Sequence, residues 1–201
     1  MSYDLLAAFV AFAVVTLFTP GPNNVMLMTT GLNFGFARAR PHVYGVALGF
    51  AVMVLLLGLG LGAVFTAYPV LYTTLKFAGA AYLLYLAFVI ATSGPVQETG
   101  EAIGRPMTFL QAAAFQWVNP KGWVMAVASV TTYAAILGFP FNVILIALIF
   151  AVLGTLSAWT WVIFGTWLRR FLTSAKAVRA FNLVMAALLV ASLYPVVAGV
   201  W

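Results

Sequence analysis

The sequence predicts an all-α integral membrane protein of six transmembrane helices, arranged as two inverted three-helix repeats in which proline breaks the first helix of each half. Three observations carry this reading. Of 201 residues, 65% are hydrophobic and 6% charged, against about 45–50% and roughly 25% in soluble domains. So few charges cannot coat a water-facing surface, and much of that surface must meet hydrocarbon. Apolar runs of spanning length, about 20 residues, recur along the chain. Two of them carry matched proline-containing interruptions about a hundred residues apart, the mark of an internal repeat.

The first run, Leu5 to Gly31, follows an N-terminus with Asp4 and no Lys or Arg. It is expected to be a retained helix and not a signal peptide, which would need a basic flank. The others are Val43 to Phe65, Tyr68 to Ala91, Met107 to Ala135, Phe141 to Trp167 and Ala180 to Val200. All are nearly continuous in Leu, Ala, Val, Phe and Ile, without the alternation of a barrel strand. The only clearly hydrophilic stretch, with Glu98 and Glu101, is a linker over about 94–105. It divides a single domain, residues 1–201, into halves of about 1–93 and 106–201.

Charge sets the expected orientation. Nine Lys plus Arg stand against three Asp plus Glu, which in a membrane protein is a topology signal and not a nucleic-acid footprint. Arg38 and Arg40 follow the first span, Arg105 the third, and Arg169, Arg170, Lys176 and Arg179 the fifth, with only Lys76 opposite. Both termini are therefore expected outside, and two three-helix halves must then run in opposite senses. The absence of Cys excludes disulfides, cysteine-based zinc sites and thiol chemistry.

The chemistry lies in the interruptions, Thr19-Pro20-Gly21-Pro22 and Asn119-Pro120-Lys121-Gly122. Proline lacks an N–H and clashes with the carbonyl four residues back, so free carbonyls are expected at Thr16, Phe18 and Gln116. Beyond each break a new half-helix presents unpaired amides, near Asn23 and Asn24 and near Gly122 and Trp123. A zwitterionic amino acid needs both an acceptor-rich and a donor-rich place, which paired broken helices supply near the midplane. One proline alone would read as a packing kink; two matched breaks favour a site.

Lys121 is the only ionisable side chain well inside a predicted span, where a charge costs about 2.5–3.5 kcal/mol. It could bind a substrate carboxylate, bond the freed carbonyls or shed its proton; alternatively it snorkels to an interface. Asn23, Asn24 and Asn119 could line the site or act as caps. Trp117 and Trp123 could line a pocket or fill space. Gly45 and Gly49, Gly58 and Gly62, and Gly79-Ala80-Ala81 read as close-packing faces. Gly58 to Gly62 is no nucleotide loop, having no preceding strand. His42, beside Arg40, is expected to be solvated at the interface, with a proton relay as the reserve reading.

At these residues the chain resembles the LysE/RhtB family of amino-acid exporters. The likeness rests on Thr19-Pro20-Gly21-Pro22, Gly35-Phe36-Ala37-Arg38, Lys76-Phe77-Ala78-Gly79-Ala80-Ala81-Tyr82-Leu83 and Asn119-Pro120-Lys121, and spans essentially the whole chain. It implies a multi-pass secondary transporter of the bacterial inner membrane, with both termini periplasmic, that exports amino acids with protons as the coupling ion. The form Asn23-Asn24, with Tyr85 to Ser93, is closer to the cysteine/O-acetylserine exporter branch than to the lysine branch. Many relatives carry Asp where this chain has Asn23, and no acid lies deep in a span. A carboxylate proton carrier of the usual kind is therefore absent, leaving Lys121 and His42 as coupling candidates. A neutral amino acid is favoured, since the one charge expected in the core is positive and would repel a cationic substrate.

The expected function is secondary export of small neutral amino acids or their derivatives by alternating access. The expected partners are the amino acid and the lipid bilayer, with no cofactor and no metal, and the oligomeric state is left open. The competing readings are a non-transporting scaffold or a passive channel. An enzyme would need paired carboxylates, a Ser/His pair or metal ligands, and one His, three peripheral acids and no Cys offer none.

Overall fold

The computed structural model describes residues 2–93 and 105–194. Every regular element among them is helical. Helix α1, Tyr3–Phe18, starts at Ser2, whose side chain accepts the Leu5 N–H at 3.4 Å. Its end follows from the residues before the prolines, which are pushed toward extended backbone. Thr19 has φ −67° and ψ 133°, and Gly21 has φ −170° and ψ 179°. Helix α2, Pro22–Arg38, restarts with Pro22 at its first position and bends from α1 by 53°.

Gly35, at φ 76°, turns α2 toward α3, Arg40–Leu56. A π-helical turn, Leu57–Leu61, follows, with Gly60 at φ 120°, and leads into α4, Gly62–Ala67. Pro69 opens α5, Pro69–Thr92. The second half begins with α6, Phe109–Phe115, where Thr108 and Gln111 form a capping box. A 3₁₀ turn, Gln116–Val118, and the extended Asn119 lead into α7, Pro120–Thr132. Helices α8, Phe141–Leu168, and α9, Ala175–Ala191, complete the described chain.

Three stretches are long and apolar enough to cross a membrane, namely Arg40–Ala67, Pro69–Thr92 and Phe141–Leu168, and a fourth is gained if α1 and α2 count as one broken span. The two remaining predicted spans fall on the α6–α7 pair and on α9. The end predicted for α9, and Glu98 and Glu101 in the linker, lie outside the described residues.

Helix α8 packs against α2 and α3, α3 against α6, and α5 against α9. Glycine sets several of these approaches. Gly45 faces Phe109 and Ala112, Gly49 faces Ala113, Gly79 faces Val118 and Gly58 faces Val143. Gly62 does not share that role, since a Cβ there would come no closer than 3.9 Å to Leu57 O. The π-helical turn disrupts the i, i+4 register that would align it with Gly58. The tightest approaches join α2 to α8, where Gly31 lies on the Val162 carbonyl and Gly165 on the Met28 carbonyl. Phe9, Phe50 and Phe150 fill the centre, with rings in edge contact at 5.0 and 5.2 Å. Val70, Phe77, Phe88, Leu148 and Val152 point outward, as hydrocarbon contact requires.

Candidate functional site

The two breaks meet. Asn23 and Gln116 exchange reciprocal amide hydrogen bonds at 2.8 and 3.1 Å, and Lys121 donates from Nζ to the Thr19 carbonyl at 2.5 Å. Residues about a hundred apart in sequence thus line one partly open cavity, with about 40 Å³ accessible to the centre of a water-sized molecule. Gly21, Asn23 and Asn24 line it from the first break, Asn119 and Lys121 from the second, and Ser157 from α8. Leu27, Val46, Phe50 and Met125 supply apolar wall.

The carbonyls that the side chains seek are not the predicted ones. Asn24 Nδ2 donates to Leu17 O at 3.0 Å and Thr19 O at 2.8 Å, and Ser157 Oγ also donates to Leu17 O, at 2.9 Å. The prediction named Thr16 and Phe18, as a kinked but continuous helix would require. Two prolines two residues apart instead end α1 outright, so Leu17 and Thr19 also lose their helical partners. The Gln116 carbonyl is not left free either, because the 3₁₀ turn brings it the Asn119 N–H at 3.3 Å. At the helix starts, the first intrahelical bonds are Val25 N–H to Gly21 O and Trp123 N–H to Asn119 O. The Asn23, Asn24 and Gly122 amides precede those bonds as predicted, whereas the Trp123 amide is used.

Lys121, in the first turn of α7, is half-buried and bound across the break. Gly21 makes room for it: a Cβ there would lie 2.8 Å from Lys121 Cδ. Asn119 is the N-cap residue of α7, yet its side chain makes no capping bond. Its Oδ1 is buried without a hydrogen-bond partner, and the residue is part of the cavity lining. Asn24 caps the end of α1 in place of the start of its own helix.

Pro22 borders the cavity, while Pro20 and Pro120 shape the backbone around it. Trp117 and Trp123 do not border it; Trp123 Nε1 donates to Trp117 O at 2.8 Å, and the rings meet edge-on at 6.4 Å. Both brace the second break from behind.

His42 corrects a prediction outright. It is 0% exposed, and its Nδ1 lies 2.9 Å from Thr30 Oγ1. The turn at Gly35 folds the first turn of α3 onto α2, so a residue beside Arg40 is shut in instead of solvated. Ser157 was missed, as was the buried Asn33–Asn182 amide pair, at 3.1 Å. The signal for each was a small polar residue within an apolar helix.

The sequence pattern of the family described as LysE type translocator matches residues 14–192. Proteins named cysteine/O-acetylserine efflux protein, from Escherichia coli K12, Escherichia coli O9:H4 (strain HS) and Shigella sonnei (strain Ss046), are each 31% identical over 191 residues. The match covers 94% of this chain and 96% of each relative. No solved structure matches the chain. With a family match over most of its length and full-length relatives, this chain, whose proline breaks close on one cavity, belongs to the LysE type translocator family and is a transporter, not an enzyme.

Proposed function

We propose that the chain exports small neutral amino acids or their derivatives from the cytoplasm, in the class that includes cysteine and O-acetylserine. Six spans in two inverted halves, residues 1–93 and 106–201, would alternate access around the breaks within one transmembrane domain. The observation that carries this reading is the polar content of the break-lined cavity. Lys121 lines it with an ammonium for a carboxylate, and Asn119 lines it with a side chain whose Oδ1 has no hydrogen-bond partner, while the Thr19 carbonyl that holds Lys121 is a further acceptor for a substrate ammonium. No described residue lining the cavity is acidic, so a second positive charge on the substrate would meet Lys121 without a neighbouring carboxylate.

The test is counterflow of O-acetylserine, with lysine as comparison, in proteoliposomes. Saturable exchange of O-acetylserine without lysine exchange is expected. Uptake that neither saturates nor shows counterflow would make the protein a passive channel, and no transport of any amino acid a scaffold. For coupling, Lys121 and His42 remain the candidates. Asp4 lies in the first turn of α1, and an acid in contact with one side of the membrane cannot follow alternating access. The triple variant Asp4→Asn, Glu98→Gln, Glu101→Gln should therefore keep its proton dependence; its loss would refute this assignment.

The family's setting points to the bacterial inner membrane. Arg38, Arg40, Arg169, Arg170 and Arg179 favour cytoplasmic placement of their loops and periplasmic placement of both termini. Reporter fusions at the Arg38–Arg40 turn and after Arg170 should read cytoplasmic, and the opposite sidedness would reverse the proposed topology.

A further inference from the structure

About 10 Å along α2 from Asn23, at 1.5 Å per residue, lies a second, partly open cavity, with about 40 Å³ accessible to the centre of a water-sized molecule. It sits toward the end of α2 that carries Arg38. Met26, Phe34, Leu86 and Ile90 give it apolar walls, and Thr30, His42 and Arg105 give it polar ones. No described residue lining it is acidic.

The state of His42 supplies an independent observation. The side chain is fully buried, and its Nε2 has no hydrogen-bond partner. Its other nitrogen contacts the Thr30 hydroxyl. If that hydroxyl donates to Nδ1, the neutral ring carries its proton on Nε2 and leaves a single orphan, an N–H donor. The reverse tautomer orphans both the hydroxyl proton and the Nε2 lone pair, so the first arrangement is the better satisfied one. A buried N–H without an acceptor, on a cavity that the exposed Arg105 also lines, is a donor in want of an anion.

We propose that this cavity is a second solute station, in series with the break-lined cavity, that holds a carboxylate on the Arg105 guanidinium and the His42 Nε2–H. The planar guanidinium suits a carboxylate's paired oxygens, and the apolar walls receive a short hydrocarbon portion. The exporter reading supplies only the solute's identity, an amino acid; the carboxylate chemistry stands on the cavity itself. An amino acid entering from the basic end would bind here by its carboxylate before passing along α2 to Lys121.

The chain has one histidine, so ring-¹⁵N histidine labelling gives a signal from His42 alone. The experiment titrates propionate, a carboxylate without an ammonium, into the full chain in phosphatidylcholine nanodiscs. A saturable shift of the Nε2 resonance is expected in the wild-type protein and in Lys121→Gln, with at least tenfold weaker binding in Arg105→Gln. No saturable shift in the wild-type protein would overturn the proposal. So would undiminished binding in Arg105→Gln, or loss of the shift in Lys121→Gln, which would place the propionate in the other cavity. A shift caused by phosphatidylglycerol but not by propionate would assign the donors to a lipid headgroup and also overturn it. The wild-type measurement does not depend on any variant folding. Failure of amino-acid transport with the propionate shift intact would sink the exporter reading and leave this station standing.

Discussion

Lys121→Ala is expected to lose export by roughly 10- to 100-fold in kcat/KM while still inserting and expressing. A hydrogen bond to a charged group is worth about 1.5–3 kcal/mol, and each 1.36 kcal/mol is tenfold. The structure adds a second reason. The ammonium is held by the Thr19 carbonyl, so Lys121 joins the two breaks as well as lining the cavity. In the proposed binding mode a substrate carboxylate would compete with that carbonyl for the ammonium, and the substrate's own ammonium would take over the carbonyl, exchanging a contact within the protein for two contacts through the substrate. Lys121→Arg should recover little, because a planar fork on a longer side chain does not replace a compact ammonium, and Gly21 leaves room shaped to the lysine stem. Gly21→Ala should weaken export in the same direction but less, since its Cβ would meet the flexible Cδ of Lys121 at 2.8 Å. Initial rates in proteoliposomes across a substrate series decide the matter. A normal KM and kcat in Lys121→Ala would make the residue a strut between the breaks without a substrate role.

How much of this was legible in the sequence depends on how local each signal is. Pro20, Pro22, Pro120 and Lys121 stand out because each breaks a rule of the apolar helix it occupies, by a missing donor or an isolated charge. Their meeting in space was suggested by the matched spacing, and the Lys121–Thr19 and Asn23–Gln116 bonds bring it about. The set of liberated carbonyls was incomplete because the proline rule is written for a helix that continues, and α1 stops, which frees Leu17 and Thr19 as well. The burial of His42 was hidden because it depends on the positive φ of Gly35 and on which face of α3 then meets Thr30. Neither follows from distance to a span boundary. Ser157 and the Asn33–Asn182 pair were out of reach for a related reason. Their partners lie 140 and 149 residues away, and no periodicity links them. The apolar wall of the cavity was equally hidden, since Leu27, Val46 and Met125 look like any other membrane-helix residues until three helices converge.

The largest loss of stability, as distinct from activity, is expected where α2 crosses α8. Neither Gly31 nor Gly165 belongs to the glycine pairs that stand out in the sequence, yet each has the backbone of the opposite helix against its Cα. A Cβ on Gly31 would overlap the Val162 carbonyl oxygen, and one on Gly165 the Met28 carbonyl oxygen. Backbone cannot swing aside as a side chain can, so the helices themselves must separate. Inserting carbon into a packed contact typically costs about 1–3 kcal/mol. The two sites share one interface, so the double variant Gly31→Ala, Gly165→Ala should cost less than the sum of the single variants, a coupling of roughly 0.5–3 kcal/mol. The Thr166 hydroxyl, which donates to Gly31 O at 3.2 Å, would be pulled away in the same motion. Because α2 carries one side of the break-lined cavity and α8 carries Ser157, the damage should reach the site as well as the fold. Gly62→Ala is the control, since nothing but Leu57 O lies within 4 Å of its Cβ position, at 3.9 Å. There the substitution should be neutral or gain up to about 1 kcal/mol of helix propensity. Thermal unfolding of the purified protein, followed by monodispersity in size exclusion, separates the cases. If Gly31→Ala and Gly165→Ala melt no lower than Gly62→Ala, α2 and α8 are not held at the distance the glycines imply.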